Sequence, residues 1–147
     1  MFRVVRFGMD DAFMADARAI RNVVFCQEQH VDPEVEWDGL DPSCEHFVIL
    51  EGDDAIGVAR LREYEGPDGK RWAKIERVAV LQEHRGRRAG WDLMEAVIGR
   101  ARERGFTTAL LNAQVAVEDF YEALGFAAAG ERFVEADIEH LRMTRAL

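Results

Sequence analysis

The feature that most narrows the folds open to this chain lies mid-sequence, where Arg77-Val78-Ala79-Val80 runs into Arg85-Gly86-Arg87-Arg88-Ala89-Gly90. It reads as a buried strand, a short basic turn and the first turn of an amphipathic helix. Trp91, Met94, Val97, Ile98 and Ala101 continue one helical face, Gly105 supplies a stop, and Ala109 to Ala113 form a short apolar strand. Strand, helix and strand of these lengths require a right-handed crossover and hence a parallel pair. Small residues and positive charge at such a junction suit a phosphate, because the unpaired N–H groups and dipole of a helix start both favour an anion. The segment therefore points to a phosphate-bearing cofactor.

The flanking residues complete an α/β chain with a mixed sheet. Phe2 to Phe7 reads as a first strand, and Asp10 or Asp11 can cap a helix carrying Phe13, Ala17, Ile20 and Val24 on one face. That helix should end near Gln29, before Pro33 and an acidic loop. His46 to Leu50 and Ala55 to Tyr64 read as strands joined by a Glu51-Gly52-Asp53-Asp54 hairpin turn. After a second turn at Gly66-Pro67-Asp68-Gly69, Trp72 to Val80 closes an antiparallel meander. Glu118 to Leu124 should be helical, and Gly125-Phe126 should begin the last strands. No repeat, low-complexity tract or linker divides residues 1–147, so a single domain is expected.

Composition excludes several classes. A chain of 147 residues with 48% hydrophobic content suits one globular core. No apolar run approaches the roughly 20 residues of a membrane span, and the N-terminus lacks a signal-peptide pattern. Cys26 and Cys44 have no ligand spacing, so neither a disulfide framework nor a metal site is expected, and the cytoplasm is the default compartment. A net charge of −9 argues against nucleic acid as a partner. The charge is also segregated. Between Asn22 and Ala59 there is no Lys or Arg, while ten acids occur (Glu28, Asp32, Glu34, Glu36, Asp38, Asp41, Glu45, Glu51, Asp53 and Asp54). Arg60 to Arg104 holds twelve of the nineteen basic residues. The pattern implies an anion-binding side and a cation-attracting side.

The basic turn has neither the glycine pattern of a Rossmann fingerprint nor the Gly-Lys-Ser/Thr of a Walker A loop. It resembles instead the acetyl-coenzyme A loop of the GNAT N-acetyltransferase superfamily, Gln/Arg-x-x-Gly-x-Gly/Ala, with Arg85 and Gly90 at its ends and Arg88 replacing the central glycine. The ElaA-like branch often carries a basic residue there. The resemblance continues through Ile20 to Phe25 with Glu28-Gln29, Asp38, His46, Glu76 to Val80, Ala113-Gln114, Phe120 to Phe126, Ile138-Glu139-His140 and Met143.

This resemblance implies a GNAT-like sheet, helices on both faces, whose parallel βαβ unit splays to bind acetyl-CoA. It implies acetyl transfer to a primary amine by direct attack in a ternary complex. Val78, Ala79 and Val80 would meet the pantetheine arm through their backbone, Gln114 through its amide, and Arg85, Gly86, Arg87, Arg88, Ala89 and Gly90 would hold the pyrophosphate, with Arg88 lying outward. Tyr121, in Phe-Tyr-x-x-x-Gly-Phe, would protonate the departing thiolate. By strand alternation Glu76 lies on the Val78/Val80 face, where it can act as general base or pair with an arginine. The resemblance includes His46 and His140, a residue type suited to proton transfer near neutral pH, and the acids Glu28 and Glu36 with Trp37 suit a cationic amine acceptor, a small molecule or a peptide. Superfamily members commonly form homodimers. Two alternatives remain: an acyl-homoserine-lactone-type acyltransferase, suggested by Arg21 to Phe25, and a non-catalytic acyl-CoA-binding module, suggested by Arg88.

Overall fold

Apolar runs and alternating apolar and polar residues generate seven strands, and in the computed structural model, which describes residues 1–147, all of them join one sheet. The strands are β1 (Phe2–Phe7), β2 (Glu45–Glu51), β3 (Asp54–Glu65), β4 (Arg71–Val80), β5 (Thr108–Gln114), β6 (Ala127–Glu135) and β7 (Ile138–Ala146). Their order across the sheet is β1-β2-β3-β4-β5-β7-β6. All neighbours are antiparallel except β4 and β5, the parallel pair required by the crossover.

Four helices cover the two faces: α1 (Phe13–Arg21), α2 (Pro33–Glu36), α3 (Ala89–Glu103) and α4 (Glu118–Ala123). Leu93, Met94, Val97, Ile98 and Ala101 of α3 are buried with Ile49, Leu61 and Ile75 in the larger core. Each fully buried Leu, Met, Val or Ile side chain among them contributes about 1.5–3 kcal/mol. Ala17, Ile20 and Val24 pack with Phe7, Val48 and Ala79 on the opposite face.

Two details differ from the sequence reading. The first helix does stay helical to Glu28, but from Asn22 onward it widens into a π-helical segment. The acidic loop is also not irregular throughout. Asp32 accepts a hydrogen bond from Glu34 N at 2.9 Å and Pro33 takes the first helical position, so α2 forms inside it.

A third difference matters for the site. Val58 pairs with Ala79, but Arg60 pairs with Glu76, so Arg77 and Val78 both oppose Ala59. This is a β-bulge, and Arg77 adopts φ +57°. The bulge inverts the alternation of β4. Ala73 and Ile75 point to the α3 side, as do Val78 and Val80 beyond the bulge, whereas Ala79 joins the α1 side. Glu76 consequently projects on the α1 side, opposite to Val78 and Val80, which corrects the expectation from simple alternation.

Candidate active site

β4 and β5 pair only where they begin: Trp72 with Thr108, Ala73 with Ala109 and Lys74 with Leu110. Beyond those residues the strands share no pairing, and a cavity of about 540 Å³ opens between them. Val78, Ala79 and Val80 line it from β4, and Leu111, Asn112 and Gln114 from β5. The backbone along the split has no partner strand, so an extended ligand can bond there as a strand would. Gln114 reaches the cavity, and its Nε2 donates to Gln29 Oε1 at 2.8 Å.

At the end of β4 a single 3₁₀ turn over Gln82–His84 delivers the chain to Arg85. The start of α3 carries no side-chain cap, so its first N–H groups stay available to an anion. Arg88 is the residue before the helix and has φ +69°, a conformation usually left to glycine. Its side chain is exposed and its guanidinium lies 5.3 Å from the centroid of Trp91, away from the cavity. The other two arginines are engaged. Arg85 is held bidentately by Glu28 at 2.7 and 2.9 Å and donates to Val80 O at 2.8 Å, while Arg87 pairs with Glu51.

Tyr121 lines the cavity from α4, on the α3 side of the sheet. Phe120 and Phe126 pack edge-on to its ring, with centroids at 5.1 and 6.1 Å. Its hydroxyl has no hydrogen-bond partner in the chain, and burial pushes its pKa up, so it stays protonated. His140 lines the cavity from β7. Its ring stacks on Phe133, and Nδ1–H donates to Ile138 O at 2.7 Å, which leaves Nε2 as the ring acceptor.

The α1 side of the cavity is a wall of ion pairs. Arg21 donates to Glu36 at 2.7 Å and to both oxygens of Asp41 at 2.9 and 3.0 Å. Arg60, 1% exposed, donates to Asp38, Asp41 and Glu76. Arg77, turned by the bulge, reaches Glu36 at 3.0 Å and Asp38 at 3.2 Å. Glu76 also accepts from Arg62 at 2.7 Å, with Lys74 at 3.5 Å. Burial raises the Glu76 pKa, but the Arg62 hydrogen bond and the charges of Arg60 and Lys74 outweigh it, so the carboxyl sits below its ordinary value.

Residues 11–126 match the Acetyltransferase (GNAT) family. The chain belongs to that family. It is 35% identical over 133 residues to the uncharacterized N-acetyltransferase YjcF of Bacillus subtilis, covering 90% of this chain and 91% of that one. The structure of an acyl-CoA N-acyltransferase from Pseudomonas aeruginosa superposes with a TM-score of 0.85 at 28% identity, covering 99% and 100% of the two chains. Escherichia coli ElaA shares the fold, with a TM-score of 0.85 at 24% identity and 99% coverage of both chains. GNAT acetyltransferases use acetyl-CoA, and the split sheet with its uncapped helix start fits that ligand: unpaired strand edges for the amides of the arm, N–H groups for the phosphates.

Within this GNAT fold only two of the five expected acceptor residues, Glu36 and His140, line the cavity, whereas Glu28, Trp37 and His46 do not. His46 is buried behind the ion-pair wall, with Nε2–H donating to Asp41 O at 2.9 Å, and holds the loop to β2. Trp37 lies outside the cavity and covers Arg21, whose guanidinium is 4.8 Å from its ring centroid. Glu28 is committed to Arg85, and Glu36, 3% exposed, to Arg21 and Arg77. The acids that suggested a cationic acceptor are therefore neutralised by arginines distant in sequence. Four polar cavity residues carry no signal in the sequence: Arg62, Lys74, Glu135 and Asn112, whose buried Oδ1 has no hydrogen-bond partner. Only register identifies them. No group of three or more His, Cys, Asp or Glu is placed to hold a metal ion, and no helix is long and apolar enough to cross a membrane.

Proposed function

We propose that the chain transfers an acetyl group from acetyl-CoA to a primary amine of a small molecule or peptide, by direct attack while both substrates are bound. The observation that carries this reading is the split between β4 and β5, with Tyr121 lining the cavity from the α3 side and Glu76 from the α1 side. Acetyl-CoA supplies the activated acetyl thioester. Backbone groups of Val78, Ala79 and Val80 and the amide of Gln114 hold the arm, and the turn from Arg85 to Gly90 holds the pyrophosphate through backbone N–H groups.

In the transfer a nitrogen–carbon bond forms as the carbon–sulfur bond breaks. One proton leaves nitrogen and one reaches sulfur. Tyr121 Oη–H supplies the second, since its hydroxyl is protonated and otherwise unengaged. Glu76 is a poor base because its cations favour the ionised form. His140 Nε2, with its tautomer set by Ile138 O, is the better recipient of the first proton.

Release of free CoA thiol with a panel of amines and peptides tests the reading. Tyr121→Phe should lower kcat by about 10²-fold, in the range of general acid catalysis, with acetyl-CoA binding retained, and His140→Gln should also lower kcat. Unchanged rates would remove those roles. No release with any amine, while CoA still binds, would favour a non-catalytic acyl-CoA-binding module.

A further inference from the structure

We propose that the acceptor is a small amine that also carries a carboxylate, and that Arg62 and Lys74 hold this carboxylate at the α1 side of the cavity. The inference rests on the acetyl-transfer reading and names its substrate class. It starts from a charge imbalance. In the ion-pair wall, Arg21, Arg60, Arg62, Lys74 and Arg77 share four carboxylates, those of Glu36, Asp38, Asp41 and Glu76. One positive charge is left over within this wall, and Glu135, the remaining carboxylate that lines the cavity, forms no ion pair with any of these cations.

Position decides where that charge acts. Arg21 and Arg60 are fully buried and spend their guanidinium donors on Glu36, Asp38, Asp41 and Glu76. Arg77 is tied to Glu36 and Asp38. Arg62 and Lys74 face the cavity, and both lean on Glu76, which Arg60 already engages. Arg62 uses only its Nε in a hydrogen bond, so both of its Nη groups remain free. Lys74 Nζ has only the 3.5 Å approach to Glu76 and the face of Tyr64, 5.5 Å from the ring centroid. A guanidinium edge beside an ammonium is a donor set for a carboxylate.

The same side of the sheet supplies a place for the amine. Strand alternation puts Asn112 on the face of β5 opposite Leu111 and Ala113, which lie in the α3-side core. Its Oδ1 is the unpartnered buried acceptor of the cavity, and an amine N–H would satisfy it. Asn112 stands two residues beyond Leu110, the register partner of Lys74. A carboxylate at Lys74 and an amine at Asn112 therefore suit a short aminocarboxylate rather than a long diamine.

The experiment compares free amino acids, the same compounds as carboxamides, and linear diamines, by CoA release and by calorimetric binding to the protein saturated with CoA. Amino acids should exceed their carboxamides by about tenfold or more in kcat/KM and in affinity, as expected for charge-assisted hydrogen bonds. Lys74→Gln should shrink that ratio, and Lys74→Glu should shift preference toward diamines, a gain that misfolding cannot produce. Carboxamides or diamines outperforming amino acids in the unaltered protein would overturn the inference while leaving acetyl transfer standing. Absence of turnover with every amine would sink the transfer reading; the binding arm would then decide the carboxylate site separately, equal affinity for acid and carboxamide, or none, overturning it.

Discussion

Arg60→Met keeps most of the apolar stem of a fully buried side chain and deletes the charge that joins three carboxylates. Arg60 donates to Asp38 at 2.5 Å, Asp41 at 2.8 Å and Glu76 at 3.2 Å. Each acid retains another cation after the change: Asp41 has Arg21 at 2.9 Å, Glu76 has Arg62 at 2.7 Å, and Asp38 has Arg77 at 3.2 Å. No carboxylate is wholly stranded. The loss should therefore fall at the lower end of the about 3–5 kcal/mol expected for breaking a buried pair, about 3 kcal/mol. For a chain of this length that corresponds to a fall in Tm of about 10 °C.

Urea unfolding at pH 7 should show the midpoint falling with an unchanged slope. Acid provides a second check. Burial raises the pKa of Asp38, but the hydrogen bond from Arg60 and the charges of Arg60 and Arg77 outweigh it, and the carboxyl lies well below its ordinary range. Asp41, lowered chiefly by Arg21 and Arg60 against burial, and Glu76 follow the same pattern. Folded values below unfolded ones give stabilisation that is complete above the ordinary carboxylate range of about 4 and is lost as pH falls through the folded values. The gap between parent and variant should be widest at pH 7 and narrow in acid. A loss under about 1 kcal/mol, or a gap that grows on acidification, would refute the reasoning, since an exposed pair is worth about that little.

Arg88→Gly should relieve the left-handed backbone strain of about 1–2 kcal/mol, offset in part by the added freedom of the unfolded chain, and so stabilise the protein slightly. Acetyl-CoA affinity should change by less than about threefold if backbone N–H groups hold the pyrophosphate; a larger drop, by calorimetry, would assign the binding to the arginine side chain. Burial, only partly countered by Asp41, keeps the His46 pKa below its ordinary value, so the unfolded chain takes up the proton first. Stability should fall as pH drops below about 6.5, and His46→Gln should flatten the urea midpoint between pH 7.5 and 5; parallel curves for the two proteins would remove His46 as the cause.

The strands were legible because their signal is local. Apolar patterning located β1 at its observed bounds and β2 to β5 to within a residue at each end, whereas β6 and β7 were anticipated only as strands following Gly125-Phe126, and Gly105 marks the turn after α3 with φ +78°. The π-helical turn from Asn22 to Glu28 was not legible, because widening the helix leaves the apolar spacing nearly intact. Nor were the partners of the acids. Glu28 meets Arg85 and Glu36 meets Arg77 across long stretches of chain, and only the sheet register brings them together. Acids in a stretch free of Lys and Arg thus read as an exposed anionic surface, although arginines from α1, β3 and β4 bind several of them.

The bulge at Arg77 is where this hidden information becomes chemical. Non-glycine residues at positive φ carry no mark in a sequence, yet this one sets the direction of every side chain on one side of it relative to the other. With regular alternation Glu76 would share the face of Val78 and Val80 and stand on the Tyr121 side, a free carboxylate beside the proposed acid. With the bulge, Glu76 turns to the α1 side and is captured by Arg60, Arg62 and Lys74, while Arg77 turns to lock Glu36 and Asp38. One backbone torsion thereby turns the most obvious base into an anchor for cations. The α1 side of the cavity acquires the positive charge that the acidic sequence conceals.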